Sequence, residues 1–168
     1  MQHILYFSYG SNMSSRRLKN RVESARVISS GILENHKLMF HKKSKDGSGK
    51  CDAYYTNEPK DKIYGVIYSI HENEVDKLDR VEGCGRGHYE KKEVVVKLFN
   101  GETVNAFTYC AENIVEGLKP YLWYKYHILH GAVENDLPSE YISFIDSVNA
   151  DVDPDVNRAT VELSIYKD

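Results

Sequence analysis

The chain contains no C-x-x-C pair, and its three cysteines, Cys51, Cys84 and Cys110, are odd in number and widely spaced. Such spacing argues against both a disulfide framework and a zinc site, and it fits a reducing, cytoplasmic compartment. No apolar run approaches the roughly 20 residues needed to span a bilayer, and no charged segment followed by an apolar stretch opens the chain. The expectation is a soluble, unprocessed protein with no membrane partner. Charge of one sign is also lacking: 22 Lys and Arg stand against 25 Asp and Glu, without a long run of either. Nucleic acid and anionic membrane surfaces are therefore not expected partners. The densest basic patch, Lys42, Lys43, Lys45 and Lys50, is interleaved with Asp46, Gly47, Ser48 and Gly49 and reads as a solvated loop. Internal repeats and low-complexity segments are absent, and 168 residues make one domain the default.

What is present begins with Tyr6-Phe7-Ser8-Tyr9-Gly10-Ser11-Asn12-Met13. The apolar run Ile4 to Phe7 reads as a buried strand, and Gly-Ser-Asn favours a tight turn. Gly10 can take positive φ or admit a close neighbour, and Ser11 or Asn12 can cap a short polar helix over 14–21. Backbone N–H groups at such a junction converge, which suits a carboxylate, a phosphate or an oxyanion. Farther on, residues 25–33 and 36–43 read as a hairpin, and Ala53 to Thr56 as a short aromatic strand. Ile63 to Ile70 is the best candidate for a central strand, because its apolar positions run almost without interruption.

A helix is predicted over 72–81, with Val75, Leu78 and Val81 on one face, Asn73 as cap and Gly83 as stop. Two strands, 89–99 and 104–109, flank Asn100-Gly101, the pair favoured in type I′ hairpin turns. Helices follow over 121–135 and 138–148, the second with Pro138 in its first turn. Thr160 to Tyr166 alternates like a strand, which predicts either an extra sheet edge or exchange between protomers in a homodimer. The fold class is thus α+β: a mixed, mostly antiparallel sheet curled toward a barrel, with flanking helices. Residues 1–148 form the domain, and 149–168 a C-terminal extension carrying an added strand.

Glu82 is the best placed proton carrier. It falls at a helix C-terminus, where partial negative charge disfavours a carboxylate and would raise its pKa toward the range of a neutral-pH general acid/base. A solvated glutamate at a helix end is the plainer reading of the same position. Gly83-Cys84-Gly85-Arg86-Gly87 follows a helix and precedes a strand, the reverse of a dinucleotide fingerprint. Cys84 with His88 as nucleophile and base is weak, since the helix end would raise the thiol pKa. His127 and His130 are three apart on a helix but lack a third metal ligand at a recognisable spacing, so no metal is assigned.

Three segments together resemble the gamma-glutamylcyclotransferase-like family, which includes the plant AIG2-like proteins. Tyr6 to Met13 is similar to the family's Y-F-x-Y-G-S-N-L/M, and Leu78-Asp79-Arg80-Val81-Glu82-Gly83 to its L-D-x-x-E-G. Gly87-His88-Tyr89 resembles the G-x-Y that follows, and Gly131 to Pro138 with Tyr141 resembles G-A-x-E-N-G-L-P-x-x-Y. The resemblance implies a barrel-like α+β fold and cyclisation of a gamma-glutamyl group to 5-oxoproline, with release of the amine and no cofactor. It implies Glu82 as acid/base, the loop Tyr9, Gly10, Ser11 and Asn12 as binding residues, and Tyr89 and Tyr124 as pocket lining. Asp136 departs from the pattern where the family has glycine, and Tyr121-Leu122-Trp123-Tyr124 is unfamiliar, which leaves the identity of the leaving amine open. The alternatives are a related acyl-transfer enzyme and a non-catalytic protein that holds a small carboxylate.

Overall fold

In the computed structural model, which describes residues 1–168, the apolar run Ile63 to Ile70 becomes the middle of β5 (Lys62–His71). It is buried because strands cover both its edges: β1 (His3–Ser8) and β2 (Arg26–Glu34), each antiparallel to it. β6 (Tyr89–Leu98) continues from β2, β7 (Thr103–Ala111) pairs with β6, and one parallel bridge, Tyr6 to Phe107, returns to β1. The order β1-β5-β2-β6-β7 is therefore a closed barrel. Phe7, Ile63, Val66, Ile67, Tyr68, Ile70 and Val96 are fully buried in its core, each worth about 1.5–3 kcal/mol of apolar burial. The α+β barrel expected from the sequence is the observed fold.

The hairpin expected between residues 25–33 and 36–43 does not form. β3 (His36–Lys43) pairs instead with β4 (Gly49–Tyr55) as a separate ribbon. Asn35, at φ 63°, turns the chain, and its carbonyl accepts the N–H of Thr56 at 2.9 Å. That ties the β2–β3 junction to the end of β4, while both edges of β2 are already occupied by β5 and β6. Asp52 docks the ribbon on the barrel: one carboxylate oxygen accepts the Ala111 N–H at 2.7 Å and the other lies 2.6 Å from His41 Nε2. The β6–β7 hairpin forms in the expected place, but its turn is not type I′. Only Gly101 has positive φ, and its N–H donates to the Leu98 carbonyl, so a type I turn precedes a left-handed glycine.

The helices α1 (Ser15–Arg21), α2 (Val75–Glu82), α3 (Leu122–Glu134) and α4 (Ser139–Asp146) lie within a few residues of the expected spans. Asp136, between α3 and α4, adopts φ 54°. Aspartate tolerates this left-handed conformation better than most residues, which explains why it can stand where the resembling proteins have glycine. The tail is a correction. Residues expected to form a strand lie in α5 (Val156–Leu163) and a 3-10 turn (Ser164–Tyr166). Asp155 caps α5 by accepting the Arg158 N–H at 3.0 Å, and a closed barrel offers no free edge for an added strand. The segment folds back on its own chain, with Arg17 bonded to Glu162 at 2.5 Å and Tyr166 Oη donating to Ser14 at 2.9 Å. Strand exchange between protomers thereby loses its basis. No helix is long and apolar enough to cross a membrane.

Candidate active site

The site begins where β1 runs out of barrel partners. Beyond Ser8 the chain turns through Tyr9 and Gly10 into a 3-10 turn, Ser11–Met13. Three groups hold this turn from below: Tyr68 Oη donates to the Met13 carbonyl at 2.8 Å, Asn135 Nδ2 reaches the same oxygen at 3.3 Å, and α3 presses against it at Gly131. A Cβ on Gly131 would lie 2.5 Å from both the Met13 carbonyl carbon and the Ser14 nitrogen, so only glycine permits this approach. Ser14, not Ser11 or Asn12, caps α1, by accepting the Arg17 N–H. Gly10 has φ −117°, so its role is space: a Cβ there would meet the Cys51 side chain at 3.2 Å. Within the turn, Met13 and Ser14 donate to the carbonyls of Gly10 and Ser11. The N–H groups of Gly10, Ser11 and Asn12 are left without acceptors in the fold.

Glu82 arrives from the opposite wall. α2 stops at Gly83, in the left-handed conformation at φ 68°, and this fixes Glu82 at the last helical position. Tyr109 Oη donates to Asp79 at 2.5 Å and so ties α2 to β7. Asn12 Nδ2 donates to Glu82 Oε1 at 2.8 Å, and Arg21 Nη1 donates to Asn12 Oδ1 at 3.1 Å and to Glu82 Oε1 at 3.4 Å. Oε2 has no partner in the chain, and the side chain is 16% exposed. One oxygen is anchored and the other faces open space.

That space has two chambers. The inner one, about 40 Å³, is lined by Tyr6, Tyr9, Gly10, Ser11, Asn12, Cys51, Glu82, Tyr89, Tyr109 and Tyr124. It is little larger than the ~30 Å³ share of one water molecule, the scale of a single carbonyl or carboxylate group. The outer chamber, about 250 Å³, shares Ser11, Glu82, Tyr89 and Tyr124 with the inner one and opens past Lys42, Lys50 and Arg21. Burial pushes the hydroxyls of Tyr6, Tyr9, Tyr89 and Tyr124 well above the ordinary phenol range and the Cys51 thiol up to about 12. All of them stay protonated near neutrality, which leaves Glu82 as the one carboxylate in the inner chamber. Tyr9 donates to the Tyr109 carbonyl and Tyr89 to the Cys51 carbonyl, while Tyr124 Oη accepts the Cys51 N–H and keeps its own hydrogen to donate.

Every site residue expected from the sequence, Tyr9, Gly10, Ser11, Asn12, Glu82, Tyr89 and Tyr124, lines the inner chamber. Tyr6 opens the stretch read as a strand and turn but was not assigned to the site, and the sequence reading missed Cys51, Tyr109 and Arg21, which reach it through strand pairing and helix packing that carry no local signal. The basic patch is corrected. Lys42 and Lys50 are strand residues in register with each other and not loop residues, and Lys42 is only 5% exposed. The Lys50 ammonium sits 4.4 Å over the rings of Trp123 and Tyr124. His88 engages Lys42 through Nδ1 at 2.9 Å and not Cys84, and buried His127 meets Tyr166 and Glu162 at 2.6 and 3.1 Å.

Comparison with known proteins gives a consistent result. The model of the AIG2-like family matches residues 62–145. A gamma-glutamylcyclotransferase of Bos taurus is 32% identical over 151 residues, covering 88% of this chain and 79% of the bovine protein. The gamma-glutamylcyclotransferase of Homo sapiens is 33% identical over 144 residues, covering 83% of this chain and 76% of its own. A solved gamma-glutamyl cyclotransferase structure superposes with a TM-score of 0.84 at 29% identity, covering 89% of this chain and 90% of that one.

Proposed function

Because the chain belongs to the AIG2-like, gamma-glutamylcyclotransferase family, we propose that its two-chambered cleft closes the gamma-glutamyl group of a small substrate into 5-oxoproline with Glu82 as the proton carrier. The protein is an enzyme of the gamma-glutamylcyclotransferase type. In this reaction the substrate's own α-nitrogen attacks its γ-carbonyl carbon. A new C–N bond forms, the carbonyl becomes an oxyanion, and collapse of that intermediate breaks the original amide C–N bond. Nucleophile and electrophile sit in one molecule, so holding the substrate folded supplies much of the acceleration, and no protein nucleophile is required.

Two tasks remain for the chain. A proton must leave the attacking nitrogen and reach the departing one, and Glu82 Oε2, unpartnered while Oε1 is anchored by Asn12, is suited to both transfers. Such acid/base help is worth about a hundred- to ten-thousand-fold. The oxyanion needs donors, and the free N–H groups of Gly10, Ser11 and Asn12 with the Tyr124 hydroxyl supply them, at roughly 3 kcal/mol for a well-aimed donor. Ser11, Glu82, Tyr89 and Tyr124 border both chambers, a placement that supports the glutamyl carbonyl lying inward and the leaving amine outward. All three cysteines are free thiols, the form that a reducing cytoplasmic setting maintains.

The observation that carries the reading is the 2.8 Å bond from Asn12 to Glu82, which joins the donor loop and the carboxylate in one chamber. The test is incubation with a panel of gamma-glutamyl amino acids and amines while monitoring 5-oxoproline. Release of 5-oxoproline with the free amine is expected. Saturable binding without product at any pH between about 6 and 9 would make the protein a carboxylate-binding relative instead, and a different acyl product would make it a related transferase.

A further inference from the structure

The outer chamber holds more positive charge than the cyclisation needs. Six cations border it, Arg17, Arg21, Lys42, Lys45, Lys50 and Arg86, against the single carboxylate of Glu82. Three of the six have an acid of their own: Arg17 pairs with Glu162 at 2.5 Å, Lys50 with Asp46 at 3.1 Å and Arg21 with Glu82 at 3.4 Å. Lys42, Lys45 and Arg86 have no carboxylate within ion-pair distance. For Lys45, which is exposed, this is unremarkable, but Lys42 is 5% exposed, and its ammonium meets the Nδ1 of His88 at 2.9 Å and the face of the Tyr89 ring at 5.2 Å, neither of them an anion. Glu82 and Asp46 favour this charge only from beyond ion-pair distance, and a largely buried lysine with no carboxylate in direct contact is costly, a cost that a ligand anion would relieve. Burial also draws the Lys42 pKa downward, a strain that an arriving carboxylate would reverse.

The sizes of the two chambers, about 40 Å³ inside and about 250 Å³ outside, favour the leaving amine on the side of this charge. Glu82 borders both chambers, so a nitrogen protonated there carries its substituents into the outer one. At about 250 Å³ that chamber holds roughly eight water volumes, enough for an amino acid the size of aspartate. An α-carboxylate on the leaving amine would answer one of the three unpaired cations and leave two. Resting on the cyclotransferase reading of the site, we propose that the preferred leaving amine is an acidic amino acid, whose side-chain carboxylate is received by Lys42 and Lys45 with Arg86 at the rim.

The decisive comparison is gamma-glutamyl-aspartate against gamma-glutamyl-asparagine, which differ in one charge at nearly constant shape. The expected kcat/KM ratio favours aspartate by roughly tenfold or more. It should fall toward unity in Lys42→Gln and in Lys45→Gln, and shrink with added salt. Lys42 is buried and its replacement tests folding as well as binding; Lys45 is exposed, and its variant keeps the test open if the first does not fold. Equal turnover of the two substrates by the wild-type enzyme, or a ratio unmoved in the folded variants, overturns the proposal. Should neither substrate yield 5-oxoproline, the same pair is titrated calorimetrically into the wild-type protein. Tighter aspartyl binding then upholds the anionic preference and equal binding overturns it, while the cyclotransferase reading stands or falls separately, on whether any other gamma-glutamyl amino acid or amine of the panel yields 5-oxoproline.

Discussion

Gly131→Ala tests whether the donor loop is held in place by its contact with α3. The added Cβ would lie 2.5 Å from the Met13 carbonyl carbon and 2.5 Å from the Ser14 nitrogen. Normal contact requires a further ~1 Å, and since both neighbours are backbone atoms no rotamer change relieves the clash. The loop and the helix must separate. Overpacking of this kind costs about 1–3 kcal/mol, and replacing glycine by alanine inside a helix returns about 1 kcal/mol of propensity. The net loss of stability is thus at most about 2 kcal/mol, or a Tm lower by up to about 8 °C for a chain of this size. Catalysis should suffer far more, because a ~1 Å displacement of positioning groups can cost about a hundredfold. Thermal unfolding and 5-oxoproline kinetics on the same preparation separate the two effects. A variant with wild-type kcat/KM and a raised Tm would refute the claim that this contact seats the loop.

Two further outcomes follow from the C-terminal segment. Buried Asp153 accepts from Trp123 Nε1 at 2.8 Å and from two Arg158 nitrogens at 2.6 Å each, and these bonds hold its pKa well below the carboxylate range. Asp153→Ala leaves both partners unmatched and should destabilise the fold by about 3 kcal/mol in chemical denaturation; a loss below about 1 kcal/mol would show the cluster to be incidental. Glu162 is held at about 2 from a usual 4.5: burial opposes ionisation, but the bonds and charges of His127 and Arg17 outweigh it. A depressed carboxylate pKa stabilises the fold above its unfolded value. Discounted for solvent screening at this half-buried group, the contribution is on the order of 2 kcal/mol, and it is lost as pH falls from about 4.5 toward about 2. Glu162→Gln should be less stable at pH 7 and flatter in stability across that window, and a variant with the wild-type slope would count against the ion pair.

The legible parts of the chain were those whose cause is local. The strand-to-turn junction at Tyr6 to Met13, the stop at Gly83 and the β6–β7 hairpin each follow from residues within a few positions of one another. The place of Glu82 at the helix end was local too, set by the glycine that follows it, but the sequence alone favoured a solvated glutamate there and only the family resemblance gave it a role. What could not be read depended on partners distant in sequence. Lys42 and Lys50 look like a solvated loop until the β3–β4 pairing turns them toward the cleft. Thr160 to Tyr166 alternates like a strand, but the closed barrel leaves no edge, and the segment takes a helix against Arg17 and His127 instead. Arg21 gave no signal of its own, because its bonds to Asn12 and Glu82 exist only once α1 and α2 are side by side.

The most direct measurement is single-turnover kinetics of Glu82→Gln. The amide preserves shape and the Asn12 contact region but cannot carry the proton. Substrate affinity within about threefold of wild type, with 5-oxoproline formation reduced by at least about a hundredfold, is the expected result. Product at the wild-type rate from a folded Glu82→Gln enzyme would mean that the proton travels by another route and that the carboxylate is not the centre of this site.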